Sequence, residues 1–359
     1  MRGQRSGVLA ESFRRAARLG SWGYRAGVRG RELAYRKGLL PVKRLPRPTL
    51  CVGNITVGGT GKTPLVIRLV NDLLAEGIRP AVLLRGYKRE HAVSRPVLVR
   101  DPQAIRASVR EAGDEAMELA ARLPKACVGV GADRYAVGRF ILERFPVDCF
   151  VMDDGFQHYR LHRDLNIVTL DVTDPWGGGR LLPAGLLREA PQSLQRADWV
   201  VLTRTGLVAP DRLAVLRAEV SSLVRETTAV LESRYEPRSL IALSGRKEHP
   251  LSQLRGKSVL AVSGIANPQS FEMSAAALGA DITASLRLSD HGGRPPDVWT
   301  WIAKHRQRGQ WVLMTEKDAM RWTAGPIPAG SLADAFALRM DLTLTSGEPL
   351  WRGMIEGIK

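Results

Sequence analysis

Between residues 49 and 203, short apolar runs alternate with amphipathic stretches of helical period. Runs at 49–52, 81–85, 126–130, 147–152, 165–170 and 199–203 predict strands, and segments 63–76, 114–122, 133–144 and 210–224 predict helices. Strands that read as continuous Val, Leu and Ile, separated by helices, predict a mainly parallel α/β sheet covered on both faces. A polar stretch at 232–238 marks a boundary. A shorter series follows, with strands at 258–263, 282–286 and 311–315, helices at 269–278 and 296–307, and a last strand at about 335–344 returning toward the linker. The expected organisation is an N-terminal segment 1–47, an α/β domain 48–235 and a smaller α/β domain 236–359.

Composition narrows the class. A chain of 359 residues with 44% hydrophobic and 25% charged positions is long enough for two folded domains and too apolar for a disordered one. No uncharged apolar stretch reaches the ~18–20 residues that span a bilayer. Cys51, Cys127 and Cys149 sit in apolar runs and read as buried thiols, not a disulfide framework. The net charge of +17 is lopsided: residues 1–47 hold thirteen Lys or Arg against Glu11 and Glu32, which is +11 of the total. Leu9, Phe13, Ala17, Trp22, Tyr24 and Val28 recur at near-helical spacing among those cations, a pattern suited to an anionic membrane surface. Arginines interrupt every apolar core that a secretory signal would need. A solvated basic tail, a helix packed on its own domain and a nucleic-acid arm are the other readings, and Gly20, Gly23, Gly27 and Gly30 weigh against one continuous helix.

The chemistry concentrates after the first strand, in Gly53-Asn54-Ile55-Thr56-Val57-Gly58-Gly59-Thr60-Gly61-Lys62-Thr63-Pro64. Glycines let successive backbone N–H groups turn inward around phosphates, and the helix that follows adds its N-terminal dipole. Lys62 is placed to reach the terminal phosphates, and the Thr63 hydroxyl to bind Mg²⁺. The strict pattern has glycine where Thr56 stands; residues 58–63 are intact. This predicts a nucleoside triphosphate site of the P-loop NTPase type with Mg²⁺, and Thr56, Val57, Gly58, Gly59, Thr60, Gly61, Lys62 and Thr63 around the phosphates. The strand at 147–152 runs into Asp153 and Asp154, acids at a strand tip that can hold the metal beside Thr63. Neighbouring residues face opposite sides of a strand, so the two carboxylates are expected to have different jobs.

A kinase also needs a base for its acceptor hydroxyl and cations around the moving phosphoryl group. Asp114 and Glu115 open a helix after Gly113, where an acid also reads as a cap. Asp290-His291 is a loop pair in the smaller domain, and Arg188-Glu189 ends an apolar glycine-containing loop. In order along the chain stand the phosphate loop, Arg85-Gly86-Tyr87, Gly113-Asp114-Glu115, Asp133-Arg134, Asp153-Asp154-Gly155-Phe156-Gln157-His158, 179–185, Arg188-Glu189, Asp290-His291 and Thr315-Glu316-Lys317-Asp318. This series resembles the tetraacyldisaccharide 4'-kinase family, the lipid A kinases of Gram-negative bacteria, over nearly the whole chain.

The resemblance implies transfer of the ATP γ-phosphoryl group to the 4'-hydroxyl of a tetraacylated glucosamine disaccharide 1-phosphate, giving lipid IVA at the cytoplasmic face of the inner membrane. It implies Asp114 as the base with His291 assisting, and Asp153 and Asp154 as metal and phosphate-site acids. Arg188, Glu189, Arg134, Gln157 and His158 fall at polar active-site positions. Leu186 and Ala190 stand where the family commonly has prolines, and Gly292 where a second His often follows. A P-loop ATPase acting on nucleic acid is the alternative, opposed by the confinement of the charge to one end and the lack of an aromatic platform. A metal-chaperone or partitioning switch would want a second signature lysine or a paired-Cys motif, and the sequence has neither.

Overall fold

The structure is a computed structural model that describes residues 2–86, 95–265, 268–289, 295–323, 325 and 327–358, with only the backbone for 2–16, 19, 295 and 296. The chain forms two compact units, 1–234 with 342–359 and 235–341.

The larger unit begins with α1 (Arg2–Arg36) and continues through β1 (Thr49–Gly53), α2 (Lys62–Ala75), β2 (Pro80–Leu84), β3 (Val97–Arg100), α3 (Val109–Ala112) and α4 (Asp114–Arg122). Next come β4 (Cys127–Val130), α5 (Arg134–Leu142), β5 (Cys149–Asp153), β6 (Leu165–Asp171), β7 (Trp199–Thr203) and α6 (Pro210–Leu223). The strand β8 (Ala229–Ala242) leaves this unit for the smaller one. Strand order is β8-β7-β6-β1-β5-β2-β4-β3. Every pair in that series is parallel except β3 with β4. The central strand β1 therefore lies between β5 and β6, and its register with β5 sets Val52 opposite Asp153. All five residues of β1, β2 and β5 are buried, as strands covered on both faces require. One apolar layer, including Leu83, Val137, Ile141, Phe150 and Met152, lies around α5; another, with Ile55, Phe156, Val168, Leu187 and Leu202, runs under α6. Cys51, Cys127 and Cys149 are free and buried, and burial pushes their thiols up to about 12, about 11 and about 12.

The smaller unit holds β9 (Glu248–His249), β10 (Ser258–Ser263), α7 (Pro268–Ala277), β11 (Asp281–Arg287), α8 (Pro295–His305), β12 (Trp311–Thr315) and α9 (Glu316–Thr323). Its strands run β11-β10-β12-β13 in parallel register, β13 being Ala335–Ser346. The core is built on Trp299 and Trp322, both fully buried, with Val262 and Met314.

Three features depart from the sequence expectation. Residues 342–359 belong to the larger unit, not to a domain 236–359: α10 (Glu348–Glu356) buries Trp351, whose indole Nε1 donates to Asp72 Oδ2 (2.7 Å) and whose ring meets Trp199 edge-on. The polar stretch 232–238 does hold the boundary between the units, between Arg234 and Tyr235, but the chain crosses it as the middle of the strand β8 and not as an irregular linker. The first 47 residues are not a separate segment, because α1 runs unbroken to Arg36 and is hydrogen-bonded to the larger unit from Ser21 onward. A Cβ at Gly23, Gly27 or Gly30 would touch nothing within 4 Å, whereas one at Gly20 would lie 3.3 Å from Pro183 Cγ, so only the first of the four glycines is closely approached.

Candidate phosphoryl-transfer site

The loop from β1 to α2 owes its shape to two glycines. Gly58 (φ +119°) and Gly61 (φ +92°) occupy conformations that side chains rarely adopt, and a Cβ on Gly58 or Gly59 would meet open space. Thr56, standing where the strict motif has glycine, has no such φ; it forms an antiparallel bridge with Leu187, and Val57 N donates to Leu186 O (2.7 Å). The departure is thus compatible with the loop, because extended backbone there needs no glycine. The Lys62 ammonium lies over the loop, 3.5 Å from Gly58 O and 3.7 Å from Asp154 Oδ1.

Beneath the loop, side chains from neighbouring strands hold it. Asn54 Nδ2 donates to Thr60 Oγ1 (2.9 Å), which pairs with Thr169 Oγ1 (2.8 Å), and Thr203 Oγ1 donates to Thr60 O (2.9 Å). Arg204 donates to Gly59 O (2.9 Å) and is paired with Asp171. Gln157 Nε2 donates to Asn54 O (2.8 Å), so it braces the loop's first turn. Thr169, Asp171, Thr203 and Arg204 escaped the sequence reading. For Asp171 and Thr203 the available signal was an acid or hydroxyl at the end of a buried strand, the argument that selected Asp153.

The adjacent acids do have different surroundings. Asp153 ends β5 nearly fully buried; its Oδ2 accepts from Thr63 Oγ1 (3.4 Å) and its Oδ1 has no hydrogen-bond partner. Burial pushes its pKa up to about 7, against the pull of Lys62 and with help from Glu115 and Asp154. Asp154 sits in the left-handed region (φ +53°) and receives Arg188 Nη1 on both oxygens (2.9 Å each). Its burial acts to raise its pKa, but Lys62 and Arg188 outweigh it and hold the carboxyl below its ordinary value. A strained non-glycine residue gripped by two cations is the kind of feature found at functional sites. An orphaned, buried carboxylate oxygen beside a threonine hydroxyl suits a hard divalent cation, which Mg²⁺ sites complete with phosphate oxygens and water. Among the described residues no group of three His, Cys, Asp or Glu side chains forms a self-contained metal cage.

Other expected residues fall around this pair. Glu115, in the first turn of α4, is near enough to Asp153 to raise its pKa; Asp114 beside it is exposed. The helix start is Gly113 (φ +85°), so Asp114 is its first residue and makes no side-chain cap. Arg134 opens α5, 5% exposed, with Nη1 donating to Ala132 O and Nε unpartnered; burial and then Arg85 lower its pKa to about 10. His158 is held neutral, its pKa lowered to about 4 by burial and then by Arg134 and Arg163. The Glu189 carboxylate is buried against Arg196 and the Tyr159 hydroxyl. Asp290 and His291 lie outside the described residues, as does Tyr87.

The profile of the tetraacyldisaccharide-1-P 4'-kinase family, LpxK, matches residues 14–356. A tetraacyldisaccharide 4'-kinase of Geobacter metallireducens is 40% identical over 91% of this chain and 93% of its own. One from Anaeromyxobacter dehalogenans is 38% identical over 90% of this chain and 85% of its own. A crystal structure of LpxK from Aquifex aeolicus in complex with ATP is 32% identical, superposes with a TM-score of 0.77, and aligns over 96% of this chain and 99% of that one. Nothing in these matches points toward nucleic acid. With the P-loop, its acids and its sheet topology all in place, the chain belongs to the tetraacyldisaccharide 4'-kinase family and is a phosphoryl-transfer enzyme.

Proposed function

We propose that this kinase moves the γ-phosphoryl group of ATP onto the 4'-hydroxyl of a tetraacylated glucosamine disaccharide 1-phosphate, forming lipid IVA. The arrangement of Lys62, Thr63, Asp153 and the Asp154–Arg188 pair at the end of β1 and β5 is the observation that carries this reading. The P-loop amides and Lys62 bind the phosphates. Thr63 and Asp153 are the residues that would hold Mg²⁺, which neutralises charge developing on the phosphate oxygens. Asp154 sets Lys62 and Arg188 in place, and Arg134 adds positive charge. Asp114 takes the proton of the sugar hydroxyl, with His291 as its assistant and Glu115 next to the metal-site carboxylate. The defining experiment is incubation of purified protein with ATP, Mg²⁺ and the acylated disaccharide 1-phosphate. The expected product is heavier by one phosphate. An unchanged lipid mass, with ATP turnover stimulated by DNA or RNA instead, refutes the reading.

The same reading puts the enzyme on the cytoplasmic face of the inner membrane. No helix among the described residues is long and apolar enough to cross a bilayer. The support for a surface location is α1, where Trp22 is 71% exposed amid Arg18, Arg25 and Arg29, all exposed. Trp22→Ser should weaken binding to anionic vesicles about tenfold, as expected for losing one interfacial aromatic anchor. Equal vesicle binding by the variant refutes the anchor.

A further inference from the structure

The N-terminal helix touches the catalytic loop itself. Ser21 Oγ donates to Leu181 O (2.9 Å) and accepts from Ala184 N (3.2 Å). Tyr24 OH donates to Arg188 O (3.0 Å). Arg31 donates to Gln157 O (3.2 Å) and lies over the Tyr159 ring, on which Tyr35 stacks. Positions 21, 24, 31 and 35 fall on one helical stripe, so a single face of α1 makes these contacts.

On its far side the same loop grips the phosphate site. Arg188 N donates to Ile55 O (2.7 Å), Val57 N to Leu186 O (2.7 Å), and the Arg188 guanidinium holds Asp154. The next residue, Glu189, is buried and locked to Arg196, whose guanidinium is stacked between the rings of Phe156 (4.4 Å) and Tyr159 (4.9 Å). Residues 186–189 are therefore a strap fastened to the P-loop on one side and to α1 on the other. A cavity of about 210 Å³, lined by Arg25, Val28, Glu32, Glu189 and Ser193 among others, separates the helix from the segment beyond the strap. Discrete polar pins, together with the Tyr35–Tyr159 ring stack, fix the helix here.

We propose that Tyr24 is a positioning residue for Arg188, and that Glu189 with Arg196 completes the clasp, so that docking of α1 sets the Arg188 guanidinium on Asp154. The inference rests on the reading of the Arg188–Asp154 pair as part of the transfer site. It makes the helix, which carries nine arginines against two glutamates, a working part of phosphoryl transfer as well as a tether.

The test is kinetic, in detergent micelles where no membrane is present. Tyr24→Phe removes only the hydroxyl. It should lower kcat about fivefold, the factor for one lost hydrogen bond of ~1 kcal/mol, with KM for ATP unchanged. In an Arg188→Ala background the same change should have less than a twofold effect, because the group it positions is gone. Circular dichroism and ATP binding identical to the parent's show that the variant is folded. A kcat equal to wild type, or full additivity in the double variant, overturns the coupling. Wild-type activity in Arg188→Ala alone overturns the underlying site reading, so the two failures are distinct.

Discussion

Replacing Asp153 by Asn keeps the shape of a buried side chain and removes its charge. In the unfolded chain this carboxyl titrates near 3.8; in the folded protein it is pushed up to about 7, with burial the main cause and Lys62 opposing. Folded protein therefore retains a proton between about pH 4 and 7 that unfolded chain has released. Stability from this group is fully present below about pH 4 and is lost as pH rises through about 7, whereas Asn has nothing to titrate. At 1.36 kcal/mol per pH unit, the span from 3.8 to about 7 amounts to about 4 kcal/mol. Relaxation around the charged group brings the measurable difference to about 2–4 kcal/mol. The assay is urea unfolding of both proteins in EDTA, without nucleotide, from pH 4.5 to 8.5. The stability advantage of Asp153→Asn should be small at the acid end and widen steadily to about pH 7.5. Adding Mg²⁺ and ATP should shrink it, because bound cation compensates the carboxylate. A difference that stays constant with pH refutes the account of Asp153 as a desolvated carboxyl.

Two further outcomes follow from geometry, and one tests the role proposed for Asp114. Gly53→Ala would place a Cβ 2.5 Å from Phe156 Cβ and 2.8 Å from its backbone N, at the turn after Asp153 and Asp154. A loss of ~2–3 kcal/mol and weaker ATP binding are expected from this overpacking, read by thermal unfolding and calorimetric titration; an unchanged melting temperature contradicts the close approach. Asp114→Ala should lose at least ~100-fold in kcat, the low end for removing a general base, with ATP affinity retained; near-normal turnover shows that another group takes the proton. Thr203→Val deletes the donor to Thr60 O and should raise KM for ATP several-fold, with Thr203→Ser restoring it. Failure of serine to rescue would assign the effect to packing.

The central strands of the larger unit, such as β1, β2 and β5, are legible because each is a nearly unbroken apolar run, as burial on both faces demands. β8 is not, since Glu232, Arg234, Glu236 and Arg238 alternate with its inward residues and read as a solvated linker. β3 is missed as a four-residue edge strand, and α10 because Trp351 finds its partners Asp72 and Trp199 only through the tertiary fold. The site divides in the same way. The P-loop and the acids at 153–154 are local motifs whose chemistry shows in residue order. The threonines under the loop, the Arg196–Glu189–Tyr159 clasp and the pins from α1 join positions up to 164 apart in sequence, and no spacing rule reveals such pairs. Glu189, adjacent to Arg188 in sequence, shows the limit most sharply: one neighbour reaches toward the phosphate site while the other anchors the backbone behind it.

The three cysteines carry a practical consequence. Cys51, Cys127 and Cys149 are covered and remain protonated far above neutral pH, so thiolate-seeking reagents and mild oxidants have almost nothing to attack. A single new cysteine at exposed position 26, in place of Ala26, would then take a fluorophore selectively, in a chain with all its native thiols and the Trp22 anchor left intact. Its emission would report when the helix meets lipid, in the same sample whose turnover is being followed.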